Sequence, residues 1–473
     1  MIDLTLLSPF VASFDNDFER VFHLQEAQGV DNSMEPVARA AFSNMMGGMG
    51  YWFGDWLIYQ GPDQPPLGRS PQALFSACPS RPFFPRGFLW DEGFHQLLLS
   101  EWQPQLTVDV LTGWINLMQE SGWIPREQIL GAEARGRVPE EYRAQHPDHA
   151  NPPTFFLAID KLLRRYQKKV DKLASQVTFQ DGASIREDLQ IQELIEQDPQ
   201  LRLLARFFKS AFPRLVRWHQ WFLETQEGPR PGLLRWRGRT KDHLLSSGLD
   251  DYPRGNIPSE QEAHLDLLCW MILSSRTLAK IAHTIGEDPA PFNTQTALFT
   301  QGLESHWDSK RGLYSDISNV SSFPLAFSPH VGYVNLFPLM LGLLPADSAR
   351  IPLIYQVIRD PLQLWTRSGL RSLSKSDEMY QKGENYWRGP IWMNLNYLLL
   401  SGLRLHYFGG SHEAESRQLY YLLRGNLIRN VVGQYQSTGY FWEQYHEESG
   451  LGTHSHPFTG WTALILNIMS ESY

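Results

Sequence analysis

Two segments far apart in the chain, Ser247-Gly248-Leu249-Asp250-Asp251-Tyr252-Pro253-Arg254 and Tyr440-Phe441-Trp442-Glu443-Gln444-Tyr445, set carboxylates among aromatic side chains. Cleaving a sugar acetal takes that combination. One carboxylic acid protonates the leaving oxygen, a second carboxylate activates water or attacks, and ring faces hold the sugar. Apolar neighbours raise a carboxyl pKa, which keeps an acid protonated near neutral pH. A plainer reading makes Asp250 and Asp251 turn residues ahead of Pro253, and Glu443 a strand-end carboxylate.

Further motifs carry the same chemistry. In Phe83–His95, Arg86 offers a fork of donors, Trp90 a ring face, and Asp91 an acceptor for two vicinal hydroxyls. Asp91 also suits a helix N-cap. The loop from Gly122 supplies Trp123, Arg126 and Glu127, and further on Glu133 is expected to pair with Arg135 or Arg137. Glu262 and Asp266, four apart, share a helix face and could support the acid, or form a solvated face. Trp387-Arg388-Gly389-Pro390-Ile391-Trp392 opens another helix with Pro390 in the first turn, its tryptophans either sugar platforms or core. His454 and His456 are a pair without a third ligand nearby, and CxxC or paired Cys/His spacings are absent, so no metal is expected.

These residues need elements to place them. Helical periodicity predicts about twelve helices, among them Pro36–Gly47, Asp91–Glu101, Thr154–Lys172, Leu201–Thr225, Ser259–Ile285, Gly389–Tyr407 and Gly460–Met469. The clearest runs over Glu262–Ile281, where Leu265, Leu268, Ile272 and Leu278 recur at helical spacing. Convincing strand alternation is lacking. The expected fold is all-α, an (α/α)6 toroid whose long loops converge on a central pocket. The charged segment 168–200 reads as a peripheral helical insertion, and residues 1–473 as one domain.

Composition narrows the function classes. With 42% hydrophobic and 20% charged residues and 16 tryptophans, the chain is globular. A net charge of −9 argues against nucleic acid as a partner, since phosphate binding needs a basic face. Cys78 and Cys269 allow one disulfide at most and read as buried thiols. The N-terminal stretch lacks the basic region of a signal peptide, and the longest apolar run, Tyr333 to Leu344, is too short to span a bilayer. One glycosylation sequon occurs, Asn319-Val320-Ser321.

Six ordered motifs, at 83–95, 123–131, 149–153, 247–254, 386–394 and 441–445, together resemble glycoside hydrolase family 63, the family of processing α-glucosidase I. The resemblance implies the toroid, an inverting mechanism and removal of the terminal α-1,2-linked glucose from the N-glycan precursor in the endoplasmic reticulum lumen, by a monomer without cofactor. It implies Asp250 as general acid and Glu443 as general base, with Glu262 and Asp266 as further acidic positions. Arg86, Trp90, Asp91, Trp123, Arg126, Glu127, Tyr252, Trp387, Arg388, Trp392 and Trp461 fall in motifs that would bind substrate. Asp251 is expected to pair with Arg254. The family's β-sandwich and membrane anchor are not read in this chain. The alternatives are a trehalase-like α-glucoside hydrolase and an inactive glycan-binding fragment.

Overall fold

A computed structural model describes residues 8–175, 184–255 and 257–473. About half of the chain is helical, and the sheets are small. Leu89–Trp102, Leu265–Ile285, Tyr333–Met340 and Met393–Gly402 are buried on nearly every side, as helices apolar all round must be. Others, such as Pro199–Thr225 and Ile351–Arg359, bury one face only. The buried helices contact one another in sequence. Leu89–Trp102 packs on Phe155–Ala174, which packs on Leu265–Ile285, then on to Tyr333–Met340 and Met393–Gly402. The C-terminal turns Trp461–Leu464 and Ile465–Ser470 pack on Met393–Gly402, and Trp461–Leu464 meets Leu89–Trp102 again, closing the circuit.

Local chemistry explains where helices begin. Asp198 accepts hydrogen bonds from the Gln200 and Leu201 N–H groups, both at 2.9 Å, and Pro199 occupies the first helical position of Pro199–Thr225. The helix predicted from Ser259 starts only at Leu265. Ala263 is drawn into a bridge with Ile317 instead, and Asp316 accepts the Leu265 N–H at 2.8 Å. The helix predicted from Gly389 likewise starts at Met393, because Ile391 bridges to Arg371 and Tyr445. Pro390 therefore precedes the helix rather than opening it.

Several small sheets depart from the all-α expectation, the largest of them three-stranded. Met49–Ile58 and Leu67–Ala77 form an antiparallel hairpin, with Ala144–Gln145 added in parallel at its edge. Its first strand buries Trp52 and Trp56 on one face and exposes Tyr51 and Phe53 on the other, so no polar–apolar alternation marks it. Gly54 sits at a bulge with φ 157°, where a Cβ would lie 2.3 Å from Gly131. Helix Ser8–Phe22 is a further element outside the helices expected from sequence, although Phe14, Phe18, Val21 and Phe22 recur at helical spacing.

The segment read as an insertion is partly helical. Phe155–Ala174 runs into it, and Ser184–Gln197 packs on both that helix and Pro199–Thr225. Asp181 and Gly182 lie outside the described residues. Arg135 pairs with Asp55, not with Glu133. Cys78 and Cys269 are buried free thiols. No helix among the described residues is long and apolar enough to cross a membrane.

Candidate active site

Short antiparallel ladders bring the motifs together. Gly87–Phe88 pairs with Glu127–Gln128, and the Leu89 N–H donates to the Arg126 carbonyl at 3.0 Å, so Arg86, Trp90 and Asp91 face Arg126 and Glu127. The 149–153 motif locks this arrangement. Asn151 Oδ1 accepts the Trp90 N–H at 3.0 Å, and the Thr154 hydroxyl donates to the Trp90 carbonyl at 2.8 Å. Gly248 has φ 74°, and a Cβ there would come within 2.8 Å of the Trp90 indole, so only glycine lets the acid loop approach that ring. On the opposite wall, Tyr445 bridges to Ile391 and places Glu443 beside Tyr386.

These walls enclose a cavity of about 200 Å³. Of the residues singled out in the sequence, Asp250, Glu443, Asp91, Arg86, Arg126, Glu127, Trp90, Trp387 and Trp461 line it. Phe84, Phe88, Asn151, Gly248, Tyr386 and Phe458 line it too. All but Phe458 lie inside the quoted motifs, where their neighbours drew the attention.

Four expected residues stand elsewhere. Trp123 is buried behind the site against Trp56, its indole N–H on the His149 carbonyl at 3.3 Å. Trp392 lies outside the cavity and stacks on Trp387 at 3.9 Å, fixing that ring from behind. Tyr252 and Arg388 line a separate cavity. The supporting acids are also displaced. Glu262 precedes the helix and is bound by Arg239, while Asp266 receives Arg254 at 2.6 Å. Both are buried ion-pair partners outside the cavity. Arg254 divides itself between Asp266 and Asp316, not Asp251.

Asp251 points away from the cavity. Its carboxylate accepts the Tyr386 N–H at 3.1 Å and the Trp387 N–H at 2.6 Å, and Arg388 Nε donates to its carbonyl at 2.8 Å. It ties the acid loop to the tryptophan loop, leaving Asp250 as the carboxyl that faces the cavity.

The electrostatics separate the carboxyls. Burial pushes the Asp250 carboxyl up to about 7; Arg126 opposes this, and the carboxylates of Asp251 and Glu127 add to it. Asp91 is held well above the usual carboxylate range by burial and by the Glu443 charge. Burial alone would raise Glu127, but Arg126 and Arg86 outweigh it and hold that group low. Glu443 Oε1 accepts the Tyr386 hydroxyl, and Oε2 accepts the Ser455 N–H at 3.1 Å. Burial, then the charges of Glu443 and Asp250, drive the Tyr386 phenol far above its ordinary value, so it stays a donor. The cavity thus pairs a carboxyl able to hold a proton near neutral pH with a carboxylate fixed by two donors.

The family model described as "Glycosyl hydrolase family 63 C-terminal domain" matches residues 4–471. The chain belongs to glycosyl hydrolase family 63. It is 38% identical to a probable mannosyl-oligosaccharide glucosidase of Schizosaccharomyces pombe, over 97% of this chain and 61% of the relative. It is 40% identical to a mannosyl-oligosaccharide glucosidase of Arabidopsis thaliana, over 97% of this chain and 57% of the relative. The chain therefore spans about three fifths of these relatives' length. Among solved structures it resembles the family 63 mannosylglycerate hydrolase of Thermus thermophilus in complex with Tris, at a TM-score of 0.64 and 16% identity, covering 93% of this chain and all of that one. That likeness speaks to the fold alone.

His146, Asp148 and His149 form a group whose ligand atoms lie within 4.8 Å of one another. The His-x-x-His spacing was visible in the sequence. The two imidazoles stack at 4.3 Å with an interplanar angle of 7°. Their lone pairs then lie in parallel planes and do not converge on one ion.

Proposed function

We propose that this chain carries the catalytic centre of an inverting exo-α-glucosidase that removes the terminal α-1,2-linked glucose from the glucosylated N-glycan precursor. The observation that carries the reading is the convergence of Asp250 and Glu443 on one tryptophan-lined cavity, with Asp250 pushed up to about 7. Asp250 donates its proton to the glycosidic oxygen as the bond to the anomeric carbon breaks. Glu443, held by Tyr386 and the Ser455 amide, takes a proton from a water attacking the opposite face. That division requires the carboxyls to stand roughly 6.5–9.5 Å apart. Arg86 Nη1 and Asn151 Nδ2 are buried without hydrogen-bond partners among the described residues, and Asp91 lines the same cavity, so hydroxyls of the bound glucose complete them. Family membership and the names of the relatives support the substrate class.

The closed circuit of buried helices, with one-faced helices outside it, supports an (α/α)6 toroid as a single catalytic domain. The substrate class supports residence in the endoplasmic reticulum lumen, and the chain is taken to act as a monomer. Incubation with the glucosylated high-mannose glycan, followed by proton NMR, tests the mechanism. β-Glucose should appear first and mutarotate afterwards. Initial α-glucose would mean retention, and absence of any glucose release would remove the activity. Trehalose serves as the contrasting substrate, and preferential cleavage of it would move the reading to a trehalase-like enzyme.

A further inference from the structure

Trp392 lies outside the cavity wall, yet it is fully buried and each of its polar groups is hydrogen-bonded. Its indole N–H donates to the Tyr386 carbonyl at 3.0 Å, closing a loop over residues 386–392. Its ring also meets the Tyr386 ring edge-on, at 4.8 Å and 89°. Tyr386 is thereby held through backbone and side chain together. The Tyr386 hydroxyl is in turn one of the two donors that fix the Glu443 carboxylate, the Ser455 N–H being the other.

Trp392 takes its own position from two sides. The residue before it, Ile391, exchanges hydrogen bonds with Tyr445 at 2.8 and 3.0 Å, two positions beyond Glu443. That pairing sets Trp392 in register with the segment that carries the base. On the other side, the Tyr333 hydroxyl accepts the Trp392 N–H at 3.2 Å and the Asn396 side-chain amide at 2.8 Å. The same hydroxyl donates to the Leu370 carbonyl at 2.6 Å. Tyr333 and Asn396 are buried, and a hydroxyl with its partners filled in a dry interior holds its neighbours in one arrangement. The segment of Glu443 and the tyrosine that binds its carboxylate are therefore set relative to each other by one indole.

Resting on the proposed glucosidase reading, we infer that Trp392 is a positioning residue for the general base. It acts through Tyr386, whose hydroxyl it aims at Glu443, and it touches no substrate. A base that takes a proton from water works only within hydrogen-bond reach, so a shift of Tyr386 slows turnover without loosening the bound sugar.

α-Glucosyl fluoride isolates this step, because fluoride leaves without protonation while the attacking water still needs a base. Trp392→Phe keeps a ring behind Trp387 and removes the indole N–H. It should lower kcat on the fluoride about five- to tenfold, the worth of one neutral hydrogen bond, and leave KM within about twofold. Tyr386→Phe should lower kcat as well, and adding Trp392→Phe to it should cost little more, since the link is already cut. Additive losses, a raised KM with kcat unaltered, or no loss at all overturn the inference. Tyr355→Phe controls for lost stability: it removes a buried hydroxyl, bound to Ser416 at 2.8 Å, that is no part of the cavity. An equal fall in kcat there also overturns the inference. Should Trp392→Phe not fold, Tyr333→Phe takes its place in the same cycle. Should the unmodified protein hydrolyse nothing, the glucosidase reading fails by itself. Thermal midpoints of Trp392→Phe, Glu443→Gln and the double variant then decide: non-additive losses support the link through Tyr386, and additive ones overturn it.

Discussion

Asp250 and Asp251 are chemically identical neighbours with opposite surroundings. Asp251 spends its oxygens on two backbone amides, while Asp250 faces the cavity with its carboxyl pushed up to about 7 by burial. Asp250→Asn should fold and bind glycan, yet lose turnover severely on the glycan, by at least the roughly 10²–10⁴-fold that acid–base catalysis supplies. Its loss on α-glucosyl fluoride should be smaller, because fluoride departs without protonation. A mild Asp250→Asn beside a dead Asp251→Asn on both substrates would reverse the assignment. The pH dependence carries a sign. The acid works protonated, so the rate should fall as pH rises through about 7. A carboxyl raised from its ordinary 3.8 stabilises the fold fully below that value and loses the contribution as pH rises through about 7. The unmodified protein should therefore lose thermal stability relative to Asp250→Asn across that interval, and parallel slopes would contradict the burial argument. The choice of Asp250 came from the family motif. What sequence could not supply was the partner of Asp251: the expected Arg254 is engaged by Asp266 and Asp316, residues brought in by a bridge between Ala263 and Ile317.

At the scale of elements, the site is assembled from loop ends tied across the chain, and these ties were the least legible part. Periodicity located Leu265–Ile285 well, because its apolar spacing is intrinsic to one segment. It could not foresee that Glu262 lies ahead of the helix, since the start is set by a pairing with residues distant in sequence. The hairpin escaped for a related reason: aromatic residues occupy both faces, so its period-two pattern is masked. Among the ties, Asp251 joins the acid loop to the Tyr386–Arg388 segment, which bears both a ring of the cavity and the hydroxyl bound to Glu443. Asp251→Ala should strand the Tyr386 and Trp387 amides, costing about 1–3 kcal/mol for each unsatisfied group, while Arg388 keeps the backbone carbonyl of residue 251. Turnover should fall on glycan and fluoride alike, since the base is misplaced together with the acid. Chemical denaturation gives the first quantity and the two-substrate comparison the second. Unchanged stability would show that Tyr386 and Trp387 are held by other contacts.

At the scale of the whole molecule, the lining of the candidate cavity and the closure of the helical circuit share a residue. Trp461 lines the cavity, meets Trp90 edge-on at 5.6 Å, and opens the turns that pack on both Leu89–Trp102 and Met393–Gly402. The segment is fastened by two further cations as well, Arg424 from outside the circuit and Lys161 from Phe155–Ala174 within it. Arg424 donates to the Ile468 and Met469 carbonyls at 2.8 and 2.7 Å, and Lys161 Nζ donates to the Ser472 carbonyl at 3.0 Å. A helix in a linear stack has neighbours on one side to spare, whereas one that closes a circuit leaves two apolar faces bare when it is lost. Ending the chain at Gly460 should therefore abolish the single cooperative thermal transition of the full chain rather than merely lower its midpoint. It should also expose the faces of Leu89–Trp102 and Met393–Gly402, read as dye binding with retained helical circular dichroism. A truncated chain that melts cooperatively, without dye binding, would show that the circuit is dispensable and that Trp461 serves the cavity alone.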